Sequence, residues 1–109
     1  MADQKAGVCR YNFLLNENGG VLDDLIVYRI SGDEFFIVVN AARRETDFAE
    51  LSKRLPEECG ITDESAATAK LDLQGPLAAD VFVRLGVAAD ALPAYYHFTT
   101  VRIAGVDLL

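Results

Sequence analysis

At 109 residues the chain is long enough for one domain with a single modest core, and folding hides somewhat under roughly 70% of the surface that the unfolded chain exposes. Its 51% hydrophobic and 25% charged residues are the balance of a globular protein and exclude a disordered one. Seventeen acids against ten bases give a net charge of −7 with no cluster of Lys and Arg, which argues against a groove that tracks nucleic-acid phosphates.

Residues 8–16, VCRYNFLLN, alternate with Cys9, Tyr11, Phe13 and Leu15 on one side, the pattern of a strand with one buried face. ENGG then carries the Asn-Gly signal of a tight hairpin turn. VLDDLIVYRI (21–30) reads as a second strand, SGDE as a second turn, and FFIVVN (35–40) as a third strand, apolar enough to be central. Together they predict an antiparallel meander. After Asn40 the period changes: Phe48, Leu51 and Leu55 recur at helical spacing in RRETDFAELSKRL, and Pro56 ends the run, so one amphipathic helix is expected to cover the sheet. ATAKLDLQG (67–75) reads as a further strand. GPLAADVFVRLG (75–86) reads as a second helix, with Pro76 at its first position and Gly86 past its last turn. YYHFTTVRIAGVDLL (95–109) predicts one strand or a hairpin turning at Ala104-Gly105. The class is α+β, a mainly antiparallel sheet with two or more amphipathic helices in a single compact unit.

The adjacent acids Asp23 and Asp24 stand inside a run that otherwise reads as a buried strand. With Asn18-Gly19 as a two-residue turn, Leu15 faces Leu22, Phe13 faces Asp24 and Tyr11 faces Ile26. Asp24 then shares the apolar face, whereas Asp23 joins Asn12, Asn16 and Arg29 on a solvated one. A buried carboxylate needs donors, a raised pKa or a polar pocket, and each marks a candidate site. A structural acid near a strand end, satisfied by backbone or a Tyr hydroxyl, is the competing reading. Tyr11 is open between a core and a ligand-stacking tyrosine, and Asn40 between a helix N-cap and a ligand contact. A two-residue turn at Gly32-Asp33 would put Phe35, Ile37 and Val39 on the face of Asp24; only an odd loop or a β-bulge brings Asn40 round to it.

Other candidates have plain structural readings. Asp63 and Ser65 suit a turn, and the Gln74-Gly75-Pro76 corner needs no anion to explain it. His97, between Tyr96 and Phe98, is expected to be packed. Cys9, Cys59 and His97 supply no ligand set for zinc or an iron–sulfur cluster, so no metal is expected; both thiols are expected reduced and packed, with a disulfide left open. The polar start, MADQKAG, and the absence of any window near the ~20 apolar residues of a membrane span point to a cytoplasmic protein without a membrane partner.

YNFLLNENGGVLDDLIVY, FFIVVNAARRETD and LDLQGPLAADVFVRLGV, in this order and spacing, resemble the glycine cleavage T-protein, the tetrahydrofolate-dependent aminomethyltransferase family, from about Gly7 to Leu109. The resemblance implies transfer of an aminomethyl-derived one-carbon unit from the lipoyl arm of H-protein to tetrahydrofolate, with release of ammonia. It makes Asp24 the catalytic acid and places Tyr11, Val38, Asn40 and Tyr96 with it in the folate pocket. It implies that residues of about 1–65 are the family's central sheet module and about 66–109 part of its neighbour. The family's later GYTGEDGFE-type motif and C-terminal domain are not in this sequence, so an incomplete pocket and self-association into a homo-oligomer are expected. The alternatives are a folate-binding module without transferase activity and an inactive fragment.

Overall fold

The computed structural model of the chain describes residues 3–109. It is α+β, as expected. β1 (Cys9–Leu15), β2 (Val21–Arg29) and β3 (Phe35–Val38) form a three-stranded sheet in the order β1-β2-β3. A 3₁₀ turn at Ala41–Arg43 leads into α1 (Arg44–Arg54), which is followed by α2 (Ala78–Arg84) and a second 3₁₀ turn at Ala89–Ala91. β4 (Val101–Ile103) and β5 (Val106–Leu108) close the chain as an antiparallel hairpin. Ile103 pairs with Val106 across Ala104 and Gly105, whose φ angles of 51° and 85° are those of a primed two-residue turn; of the strand or hairpin expected over 95–109, the hairpin forms, confined to Val101–Leu108.

In the second half, the strand expected at residues 67–75 and the start of the second helix differ from the sequence prediction. Residues 67–75 form no strand, because no sheet among the described residues reaches them; without a neighbour their alternation buries nothing, and Leu71 is 93% exposed. The second helix starts at Ala78 rather than near Gly75. Gly75, at φ 124°, accepts a hydrogen bond from the Ala78 N–H (3.1 Å), so Pro76 lies in a turn before the helix instead of at its first position.

The chain divides into two units built from non-contiguous segments, residues 3–10, 28–36 and 71–109 in one, 11–27 and 37–70 in the other. In the first, the Arg29 guanidinium donates to the carbonyls of Gln4 (2.5 Å), Ser31 (3.0 Å) and Gly32 (2.6 Å). Tyr28 meets the rings of Phe36 and Phe98 edge-on. Burial pushes the Cys9 thiol up, whereas Cys59, in the second unit, is exposed rather than packed; both are free. His97 is also exposed, its Nδ1 near the Tyr95 carbonyl at 2.9 Å, where a packed ring was expected.

The second unit has its core on one face of the sheet. Leu14, Leu25 and Val27 are buried there, with Leu22, Ile37, Val39 and the α1 residue Leu51 packed against them. The β1–β2 turn differs from the predicted two-residue form. Asn16 N–H donates to the Gly20 carbonyl (2.7 Å) and Gly19 N–H to the Asn16 carbonyl (3.1 Å), which leaves the three-residue loop Glu17-Asn18-Gly19 with Gly19 at φ 79°. At the far end, Arg29 N–H donates to Val8 carbonyl (3.1 Å), so the stretch from Gly20 to Arg29 carries one residue more than the stretch from Val8 to Asn16 that it opposes. A bulge in β2 absorbs it and restores the predicted register.

Asn16 fastens the turn by accepting the N–H groups of Asn18 (2.9 Å) and Gly20 (2.8 Å) on its side-chain oxygen. A Cβ on Gly20 would stand 2.8 Å from Asn16 Nδ2. Gly20→Ala therefore displaces that side chain and is expected to cost about 1–2 kcal/mol in chemical denaturation, with a smaller loss for Asn16→Ser.

Candidate functional site

Asp24, within β2, meets Tyr11 of β1 and Asn40, just past the end of β3. The loop from β2 to β3 is odd, as an Asn40–Asp24 contact requires: Ile30 N–H donates to the Glu34 carbonyl (2.9 Å) across Ser31, Gly32 and Asp33. Carried along the strands, that pairing sets Val38 opposite Ile26 and Asn40 opposite Asp24, on one face by the alternation of strand side chains. Asn40 lies just past β3 at the N-cap of the 3₁₀ turn, and its carbonyl accepts from Arg43 N–H (2.8 Å). Its side chain makes no cap. The Asn40 Nδ2 instead donates to Asp24 Oδ1 (3.0 Å), the Asp24 carbonyl (3.1 Å) and Asp23 Oδ1 (2.9 Å). The Tyr11 hydroxyl donates to Asp24 Oδ2 at 2.6 Å, the short length of a charge-assisted bond.

Asp24 thus stands on the Tyr11–Phe13–Leu15 face, as the hairpin register predicts, but that face is the uncovered one. Tyr11 is 49% and Phe13 56% exposed, with their rings edge-to-face at 5.4 Å. The acid on the buried side is Asp23, not Asp24. α1 packs on the face of Leu14, Leu25 and Val27, and Asp23 shares it at 9% exposure. Asp23 is satisfied by Asn40, whose backbone N–H (3.4 Å) and side-chain amide both donate to it. That amide holds the Asp23 carboxylate below the usual range against its desolvation.

Asp47 of α1, which interacts electrostatically with Asp23, is 0% exposed and neither of its carboxyl oxygens has a hydrogen-bond partner. Burial, then the facing Asp23 carboxylate, push the Asp47 carboxyl up to about 6 against the opposing pull of Arg43. Sequence reading passed over Asp47, although the signal was present: it stands four residues before Leu51, on the apolar side of α1. Among the described residues no group of three or more His, Cys, Asp or Glu side chains is arranged to hold a metal ion.

The family model for the GCVT N-terminal domain matches residues 1–109. The chain belongs to this family. Its relatives include proteins named aminomethyltransferase: one of Chlorobium luteolum is 39% identical over 96% of this chain, and one of Halalkalibacterium halodurans 40% identical over 96%. The chain spans about 30% of the first relative's length and 29% of the second's. No solved structure matches it.

Within this GCVT N-terminal domain, the structure brings together Asp24, Tyr11 and Asn40 by direct contact and sets Val38 on the same face. Tyr96 belongs to the other unit. There its φ is 57°, its carbonyl accepts the Cys9 N–H (2.9 Å), and its ring meets Tyr95 at 4.4 Å, with a hydrogen bond to Tyr95 pushing its hydroxyl up. Asp63 accepts the Ser65 N–H (2.9 Å), the turn predicted for that pair. No helix among the described residues is long and apolar enough to cross a membrane.

Proposed function

We propose that this chain is the folate-facing part of an aminomethyltransferase of the glycine cleavage type, acting on the lipoyl-bound aminomethyl group of H-protein and on tetrahydrofolate. The observation that carries this reading is the Asp24 carboxylate held from both sides, by Tyr11 at 2.6 Å and Asn40 at 3.0 Å, at the edge of an exposed aromatic face. These residues fit a pterin. A flat ring with amine nitrogens needs an aromatic surface and a fixed acceptor, which Tyr11, Phe13 and Asp24 supply.

Asp24 is the catalytic acid in this reading. Its oriented carboxylate holds the folate amine and stabilises positive charge that develops at nitrogen and the transferred carbon as ammonia leaves. Tyr11 and Asn40 fix its two oxygens, and Val38 lines the same face. Folate supplies the one-carbon chemistry; the side chains bind, orient and compensate charge. The protein is read as cytoplasmic. The exposed Leu71, Leu77 and Leu85 favour cover by more polypeptide, which we assign to a second copy of the chain.

Titration of the purified chain with tetrahydrofolate tests the proposal. Saturable binding that is lost in Asp24→Ala is expected; wild-type chain that binds no tetrahydrofolate overturns it.

A further inference from the structure

Asn40 has more acceptors than hydrogens. Its side-chain amide carries two N–H bonds and faces three oxygens within 3.1 Å, one on Asp23 and two on Asp24. How that amide divides itself depends on how strongly the Asp23 carboxylate draws it. Asp23 and the fully buried Asp47, whose carboxyl oxygens have no hydrogen-bond partner, each perturb the other's carboxyl, and two ionised carboxylates have no donor between them. The other charged group facing Asp47 is Arg43, from the 3₁₀ turn before α1, and its Nε is buried without a hydrogen-bond partner. Arg43 therefore balances the pair through charge and donates nothing from that nitrogen. A proton between Asp47 and Asp23 is the remaining donor.

We propose that Asp47 carries the proton of a carboxyl–carboxylate pair with Asp23 and is through it a positioning residue, setting how the Asn40 amide is shared between Asp23 and Asp24. With the proton in place, Asp23 accepts from Asp47 as well as from Asn40, and its pull on the amide is weakest. When the proton leaves to solvent, Asp23 faces a second anion and draws the Asn40 amide more strongly, at the expense of Asp24. The site is thereby tied to pH by a group that touches neither ligand nor solvent. The consequence for folate rests on the function proposed above; the shared proton does not.

The sign of the pH effect is fixed by the direction of each shift. Asp47, raised from 3.8 to about 6, binds its proton more tightly in the folded chain, so its contribution to stability is present at low pH and lost as pH rises through about 6. Asp23 is held low, and its contribution is present above the ordinary carboxylate range and lost as pH falls below it. The thermal midpoint should be highest in mildly acidic solution.

The test is the pH dependence of the Asn40 side-chain amide and the Asp47 carboxyl resonances of the labelled chain, from about pH 4 to about pH 8. Both are expected to move with a midpoint near 6, and the Asn40 movement is expected to vanish in Asp47→Asn and persist in Asp24→Asn. An Asn40 amide that does not titrate, or that keeps its midpoint in Asp47→Asn, overturns the proposal. Should Asp47→Asn not fold, the wild-type Asp47 carboxyl decides alone, since a midpoint in the ordinary range near 3.9 refutes the shared proton. A titrating pair in a chain that fails to bind tetrahydrofolate supports the pair and overturns only the folate reading.

Discussion

Asp24→Asn is expected to weaken tetrahydrofolate binding by roughly tenfold to a hundredfold, the worth of a charge-assisted hydrogen bond exchanged for a neutral one. Where the rest of the enzyme is supplied from a relative, transfer should fall further, by about 10²–10³-fold, because the charge compensated in the transition state exceeds that in the ground state. The substitution keeps the shape of the side chain. Its Oδ1 still accepts from Tyr11 or Asn40, so geometry is largely preserved and the lost quantity is charge. Tyr11→Phe is the graded control: it removes one donor and leaves the carboxylate, and its effect on transfer should be about one order of magnitude smaller. Equal rates for wild type and Asp24→Asn would remove Asp24 from the chemistry.

Strand alternation was enough to put Asp24 with Tyr11, and loop parity was enough to require an odd connection before Asn40, because both depend only on a period of two. Which face of the sheet is covered depends on where α1 lands, and that is a tertiary fact. The apolar side chains at Tyr11, Phe13 and Leu15 argued for burial on their face; α1 instead covers Leu14, Leu25 and Val27, and the two aspartates exchange environments. The three-residue turn at Glu17-Asn18-Gly19 was missed for a local reason. Asn16 accepts two backbone N–H groups, which makes it the first residue of the turn and moves the centre by half a residue; the bulge in β2 then hides the error from the register. The strand expected at residues 67–75 had the right alternation and no neighbour to pair with. Asp47 was legible in principle, as an acid on the apolar side of an amphipathic helix, but its partner lies on β2 and only the packing of α1 shows it.

Leu25→Ala should separate the two faces of β2. Leu25 is buried among Leu14, Val27 and Leu51, next in sequence to Asp24 but on the opposite side of the strand. Truncation removes three carbons from a packed core, and the expected loss is about 2–5 kcal/mol, from lost transfer energy and the cavity left behind. A chain of this size has only about 5–10 kcal/mol in total, so the denaturation midpoint should fall by about a fifth or more. Asp24→Asn, on the open face, should cost under about 1 kcal/mol by the same measurement, since both of its partners are solvent-accessible and can turn to water. The comparison settles the choice that the sequence left open between a structural and a functional acid. If Asp24→Asn costs as much stability as Leu25→Ala, the Tyr11–Asp24–Asn40 contacts hold the fold and the site assignment fails. If only Leu25→Ala destabilises while only Asp24→Asn loses tetrahydrofolate, one strand carries the core on one side and the chemistry on the other.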